Sequence, residues 1–365
     1  MYDIAIVGAG IAGASLAAEL APHASVVLLE AEREPGYHAT GRSAAFWEEC
    51  YGGPDIVPLT LASGLYLREH GMLSPRGALY VARDGEEAAV EAFRARFAGA
   101  GVTIEPLDAA RLAERLPGVR QPWSLGLWQP ACADIDVARL HQDYLARGHR
   151  AGVELRTSAR VEAAEREGAG WRLALGDTSE VRAAVLVDAA GAWADQVAML
   201  AGATPLGITP LRRTVAQLCT DPAPPVDLPL VLDLNGAFYF KPENGRLWLS
   251  PHDETPSPPC DAAAEELDVA VAIDRLQQVV DWRVQAVERK WAGLRSFAPD
   301  RRPVYGFDPA RAGLFWFAGQ GGYGIQTAPA AARLAAQLLL GRPRDAMTET
   351  LDARLYAPDR FARQP

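Results

Sequence analysis

The sequence predicts an α/β fold with an α+β second domain, an antiparallel sheet inserted into a parallel nucleotide-binding unit. Three observations carry this. A β-α-β pattern fills the first thirty residues, with G-x-G-x-x-G at its first turn. Strand–glycine–helix junctions return near residues 190 and 320. Between them, residues 205–290 alternate apolar and polar positions and are rich in aromatics, as antiparallel strands are.

DIAIVG (3–8) reads as a short strand buried on both faces. IAGASLAAELA (11–21) follows as a helix with small residues on its first turn, and SVVLLE (25–30) as a second buried strand. In this Rossmann setting each glycine has its own task. Gly8 permits the tight turn, Gly10 lets backbone approach a pyrophosphate, and Gly13 lets helix and strand touch. Ile11 and Ala12 then place the positive helix end against the phosphates. Glu30, followed by Ala31, stands about twenty residues beyond Gly8, where a ribose-binding carboxylate belongs.

Residues 155–175 read as strand, hairpin turn and strand. Residues 183–202 read as a buried strand, a turn at Gly191 and a helix capped by Gly202. GLFWFAGQGGYGIQTAPAAARLAAQLLLG (313–341) repeats that logic and stops at Gly341. Residues 76–130 mix a strand (GALYVARD), an amphipathic helix (86–101) and proline-containing loops. LRRTVAQLC, GAFYFKP and GRLWLS supply the antiparallel strands of 205–290. The expected division is a nucleotide domain at 1–75, 131–204 and 291–365, and a substrate domain at 76–130 and 205–290.

With 365 residues the chain suits two domains, and 49% hydrophobic content argues against disorder. A net charge of −10 leaves no basic footprint for nucleic acid. Cys50, Cys132, Cys219 and Cys260 are dispersed, with no C-x-x-C, so neither a metal site nor a disulfide framework is expected. No apolar run reaches the ~20 residues of a membrane helix, and no signal peptide fits before the strand at Tyr2. The chain therefore reads as cytoplasmic, and its richness in Ala, Arg, Pro and Gly points to a GC-rich bacterial source.

TGRSAA (40–45), FYFKP (238–242), WAGLRSF (291–297) and GQGGYGIQTAP (319–329) occur in that order behind the glycine motif. Over essentially its whole length the chain thereby resembles the D-amino acid oxidase (DAO) superfamily of FAD flavoproteins, in particular bacterial D-amino acid dehydrogenases of the D-arginine dehydrogenase type. The resemblance implies a glutathione-reductase-like FAD domain with an antiparallel substrate domain. FAD should be noncovalent, because no cysteine stands by the C-terminal flavin motif. By the resemblance, Gly8, Gly10, Ile11, Ala12 and Gly13 hold the pyrophosphate and Glu30, with Ala31, the ribose. Thr40, Gly41, Arg42, Ser43, Ala44 and Ala45 line the pyrophosphate and flavin edge. Val161 meets the adenine, and Ala190, Gly191 and Trp193 close around the adenosine. Gly321, Gly322, Tyr323, Gly324, Ile325 and Gln326 lie by the isoalloxazine, with Gln326 opposite N1 and O2, where a helix N-terminus favours negative charge.

An amino acid substrate presents a carboxylate, which suits the bidentate geometry of arginine. By resemblance Arg295 is that clamp and Arg213 a second one; strand alternation lets only one of Arg212 and Arg213 face the pocket, and Arg213 is favoured. Tyr239 donates its hydroxyl to the carboxylate and Tyr51 lies near the amine. The implied reaction is hydride transfer from Cα to flavin N5, giving an imino acid that hydrolyses to a 2-oxo acid and ammonia. The electron acceptor is a quinone, a carrier or O₂. The chain departs from the D-arginine type at Ala78, where an acid is expected, and at Phe46, where a histidine is expected. Without them the desolvation of a guanidinium goes uncompensated, so apolar or aromatic D-amino acids are expected, although Glu48, Glu49, Asp253 or Glu254 could supply a charge. Oxidation of secondary amines such as sarcosine or proline, a non-catalytic flavin module and a plain NAD dehydrogenase stay open as alternatives.

Overall fold

In a computed structural model, which describes residues 1–361, the strand Tyr2–Val7 pairs in parallel with Val26–Leu29 on one side and Glu180–Asp188 on the other. Glu154–Arg156 and Leu314–Ala318 extend this layer in parallel at its two ends. The hairpin Val161–Glu167/Gly170–Leu175 and the strand Val304–Phe307 complete an eight-stranded sheet. Residues 4–7, Val26–Leu29 and Leu314–Ala318 are apolar and buried throughout because both faces of the sheet are covered there. Ile4 and Ile6 pack with Leu16, Leu334 and Ala335 of the helices Ile11–Leu20 and Gly324–Leu340. Ala5 and Val7 pack on the other side with Trp171, Leu173 and Val197. Residues 362–365, the end of the expected nucleotide domain, lie outside the described residues.

The second sheet has ten strands and is built around one long antiparallel pair, Thr209–Asp221 with Arg283–Phe297. One of its faces packs Leu218, Phe240 and Leu249 against Val269 and Leu276 of the helix Glu266–Val279. Its other face carries Ala78, Tyr80, Leu230, Leu232 and Tyr239. A three-stranded sheet of Phe46–Trp47, Leu73–Pro75 and Ala133–Ile135 packs beside that face through Phe46.

One expectation needs correction. The boundary at 290/291 falls inside the single strand Arg283–Phe297, which stays paired with Thr209–Asp221 on both sides of it. The ladder runs without a break through Lys290 and Trp291, so the two segments belong to one sheet. The helices Val57–Glu69, Val137–Arg150 and Glu266–Val279 carry no glycine junction and were not anticipated. Among the described residues, no helix is long and apolar enough to cross a membrane.

Candidate active site

The first strand ends in a backbone cradle with no space for side chains. Gly8 has φ +101°, and a Cβ there would stand 2.6 Å from the Ala189 carbonyl oxygen. A Cβ on Gly13 would stand 1.8 Å from the Gly8 carbonyl oxygen, so the helix can seat against the turn only as glycine. Gly10 caps the helix in an extended conformation, and the Ile11 amide donates to Thr40 Oγ1 at 2.9 Å. The Glu30 carboxylate accepts from the Ala9 and Glu32 amides at 2.8 and 2.9 Å, which fixes its orientation.

A cleft of about 1490 Å³, including its open mouth, runs past these groups. Gly8, Gly10, Ile11, Ala12, Glu30, Ala31, Thr40, Arg42 and Ser43 line one stretch of it. Val161, Ala190, Gly191, Trp193, Gly321, Gly322, Gly324, Ile325 and Arg295 line the rest. A cradle that any Cβ would fill, a helix N-terminus and a carboxylate further along fit the phosphates and ribose of a dinucleotide. Sequence reasoning missed several lining residues, among them His38, Arg160, Gln196, Gly293, Ser296 and Gln320. His38 rests on Trp193 with ring centroids 4.6 Å apart.

Some expected residues do not reach the cleft. Gly13 and Gly41 serve packing; a Cβ on Gly41 would stand 2.9 Å from the Gly36 carbonyl oxygen. Ala44 is buried among Cys50, Val57 and Tyr239, and Ala45 adopts φ +58° while its carbonyl accepts from the Ile135 amide. The side chains of Tyr323 and Gln326 are corrections. Gln326 Nε2 donates to Thr60 Oγ1 at 2.9 Å and to the Glu48 and Tyr51 carbonyls, and its Oε1 accepts from the Glu48 amide. With both ends of the amide engaged, it ties the C-terminal helix to the helix Val57–Glu69 and has none to offer a flavin. Tyr323 is buried against Phe297 and donates its hydroxyl to the Arg301 carbonyl.

At the inner end of the cleft the long strand pair brings two arginines together. Arg213 pairs across with Gly293, and Arg295 with Leu211, so the arginines are diagonal neighbours on one face. A Cβ on Gly293 would stand 2.8 Å from Arg295 Nη1, so this glycine makes room for the guanidinium. Arg295 is 8% exposed; its Nη2 donates to the Arg42 carbonyl at 3.0 Å, while its Nη1 is buried without a partner among the described residues. Burial, with the Arg213 cation nearby, pulls Arg295 below its ordinary value, although the Tyr239 phenol opposes this. Arg213 is 2% exposed and each of its three nitrogens has an acceptor. Its Nε donates to the Asp253 carbonyl, Nη1 to Tyr51 Oη at 3.1 Å and Nη2 to Glu254 at 3.1 Å. Arg212 points away to Glu265 and Asp268.

Aromatic rings cluster beside Arg213 and the Gly322 turn, although neither they nor Arg213 are among the residues that line the cleft. Phe46 meets Tyr51 and Tyr239 edge-on at 5.3 and 5.6 Å, and Tyr51 closes over Gly322, where a Cβ would stand 2.5 Å from its hydroxyl. Ala78 is fully buried among the apolar residues beneath Tyr239. His252, which no motif announced, lies 5.6 Å from the Tyr239 ring and 6.2 Å from that of Tyr51. Burial and the Arg213 cation push it down to about 4, so it is neutral near pH 7, with Nδ1 donating to the Gly236 carbonyl. Of the acids, Glu48 is fully buried and accepts from Tyr80, and Glu49 lies by Gln129. Asp253 accepts from Thr214.

A family model described as FAD dependent oxidoreductase (DAO) matches residues 3–338. The chain is 26% identical over 201 residues to FAD-dependent oxidoreductase domain-containing protein 1 of Xenopus laevis; this covers 51% of the chain and 40% of that protein, so the chain spans less than half of that relative. It is 25% identical over 374 residues to glycine oxidase of Pseudomonas aeruginosa, covering 97% of the chain and 98% of that protein. Its fold is similar to that of L-proline dehydrogenase from P. horikoshii, with a TM-score of 0.85, 20% identity and 99% and 97% of the two chains covered.

Proposed function

Because the chain belongs to the DAO family of FAD dependent oxidoreductases, we propose that it oxidises the Cα–N bond of a D-amino acid with an apolar or aromatic side chain. The observation that carries this is the Arg295 guanidinium, buried at the inner end of the cleft with one nitrogen unpartnered. An uncompensated buried cation is costly to keep, and a substrate carboxylate is the partner it lacks.

FAD supplies the two-electron acceptor, a hydride sink for the substrate Cα. Arg295 binds the carboxylate and the Tyr239 hydroxyl adds a second donor. Phe46, Tyr51 and the neutral His252 ring enclose the side chain and exclude water, so that catalysis rests on positioning. Ala78 sits in an apolar cluster, and Glu48 is already engaged by Tyr80, so neither position offers a free carboxylate to a cationic side chain. The imine product hydrolyses in water to a 2-oxo acid and ammonia. The eight-stranded sheet with its helices is the FAD unit, bound noncovalently, and the ten-stranded sheet is the substrate unit.

Glycine oxidase and L-proline dehydrogenase are named for substrates that also join a carboxylate to an amine. They set the rival outcomes of the test, which is anaerobic bleaching of the flavin by D-, L- and N-methyl amino acids and by a 2-hydroxy acid. D-Phe, D-Leu and D-Met should bleach it fastest. Sarcosine or proline as best substrate would establish the secondary-amine reading, and D-Arg or D-Lys would sink the account of the pocket. Peroxide formation in air then separates an oxidase from a dehydrogenase that uses a quinone or carrier.

A further inference from the structure

Arg42 and Arg295 line the cleft, Arg212, Arg213 and Arg301 lie nearby, and the five charges are unequally balanced. Arg42 is paired with Asp261, and Arg212 with Glu265 and Asp268. Arg213 and Arg301 share one acid: Glu254 Oε1 lies 3.1 Å from Arg213 Nη2 and 2.7 Å from Arg301 Nη2. Among the described residues Arg295 has no carboxylate partner, and its Nη1 is buried without any acceptor. Arg213 and Arg295 nonetheless stand diagonally on one face of the same strand pair. Two free guanidinia in that arrangement would offer two clamps, the donor set for a substrate with a second carboxylate on its side chain. Glu254 removes one of them.

We propose that Glu254 is a selectivity residue that restricts the site to substrates with a single carboxylate. The proposal rests on the reading of Arg295 as the carboxylate clamp. Each of the three guanidinium nitrogens of Arg213 already donates once, to the Asp253 carbonyl, the Tyr51 hydroxyl and Glu254. A second substrate carboxylate reaching for Arg213 would have to compete with Glu254, which already balances that cation. The discrimination thus combines a missing attraction with a built-in repulsion. Glu254 is 35% exposed and also paired with Arg301, which is 53% exposed, while its buried partner Arg213 is 2% exposed. The substrate class that fits is a glycine-like or apolar amino acid; aspartate-like amino acids and dicarboxylic hydroxy acids are excluded.

The test compares two ligands of equal chain length, butyrate and succinate, binding to the FAD-loaded enzyme, by the shift of the flavin spectrum and by calorimetry. The wild type should bind butyrate about tenfold more tightly or better, and Glu254→Gln should move the ratio at least about tenfold toward succinate, while Glu254→Asp keeps the wild-type order. Wild-type enzyme that binds succinate as tightly as butyrate overturns the proposal without any variant. Arg295→Met separates the two levels. Butyrate binding that survives it overturns the carboxylate clamp and this proposal with it. Butyrate binding lost in Arg295→Met, with an unchanged ratio in Glu254→Gln, overturns the role of Glu254 alone.

Discussion

Replacing Arg295 by Met should separate binding from folding. The guanidinium is 8% exposed, has one hydrogen bond, to the Arg42 carbonyl, and leaves Nη1 without a partner. Burial and Arg213 both work against its charge. An apolar side chain of similar length relieves that desolvation, so unfolding of the substrate-free enzyme should be unchanged or more costly by up to ~1–4 kcal/mol, as when buried ions give way to apolar residues. Binding should move the other way. Truncating one partner of a buried charge pair costs about 2–5 kcal/mol, which weakens substrate binding roughly 30-fold to several thousand-fold. The assays are thermal unfolding of the FAD-loaded protein and the substrate concentration that half-saturates anaerobic flavin bleaching. A half-saturation within about threefold of wild type would refute the clamp. A large fall in Tm with release of flavin would instead mark Arg295 as a structural residue.

Two further outcomes follow from the packing. Gly13→Ala places a Cβ 1.8 Å from the Gly8 carbonyl oxygen and must separate helix from turn, so the protein should purify colourless or insoluble, whereas Gly10→Ala meets only Thr40 Oγ1 at 3.2 Å; a full flavin-to-protein absorbance ratio in Gly13→Ala would contradict this. Burial pushes the Glu48 carboxyl up to about 7, against hydrogen bonds from the Cys50 amide and Tyr80. The unfolded chain ionises from about pH 4.5 while the folded one holds its proton, so this contribution is complete below that pH and is lost as pH rises through about 7, some ~3 kcal/mol in all. Denaturant unfolding at pH 5 and pH 8 should lose that slope in Glu48→Gln, and an unaltered slope would exonerate Glu48.

What the chain discloses by itself is what local geometry demands. Gly8, Gly10 and Gly13 could be assigned separate tasks because each depends on backbone within a few residues. Alternation lets only one of Arg212 and Arg213 lie on the face of Arg295; Arg213 shares that face, while Arg212 pairs with Glu265. Gln326 shows where this stops. Its motif lies beside the cleft, yet its side chain turns inward to Thr60, on a helix that had no glycine junction to announce it. Tyr323 likewise follows a partner, the Arg301 carbonyl, that no spacing reveals. His252 stands in a connecting segment at φ +54° and joins Tyr51 and Tyr239 only through the pairing of distant strands.

The strand pair Thr209–Asp221/Arg283–Phe297 is where these local and distant constraints meet. Two like charges at diagonal positions of a buried ladder repel each other, and a sheet tolerates them only if something compensates. Glu254 compensates Arg213, and Gly293, opposite Arg213, leaves space for the Arg295 guanidinium to lie back across the strand. Arg295 keeps the uncompensated charge. The sheet therefore holds one cation satisfied and one unsatisfied, and the energy it forgoes at Arg295 is available to whichever carboxylate enters from the cleft. A fold optimised only for stability would have placed an acid, or no charge, at that position. If Arg295 is the carboxylate clamp proposed above, that asymmetry would make the site directional, orienting a carboxylate toward Arg295 rather than midway between two equivalent clamps.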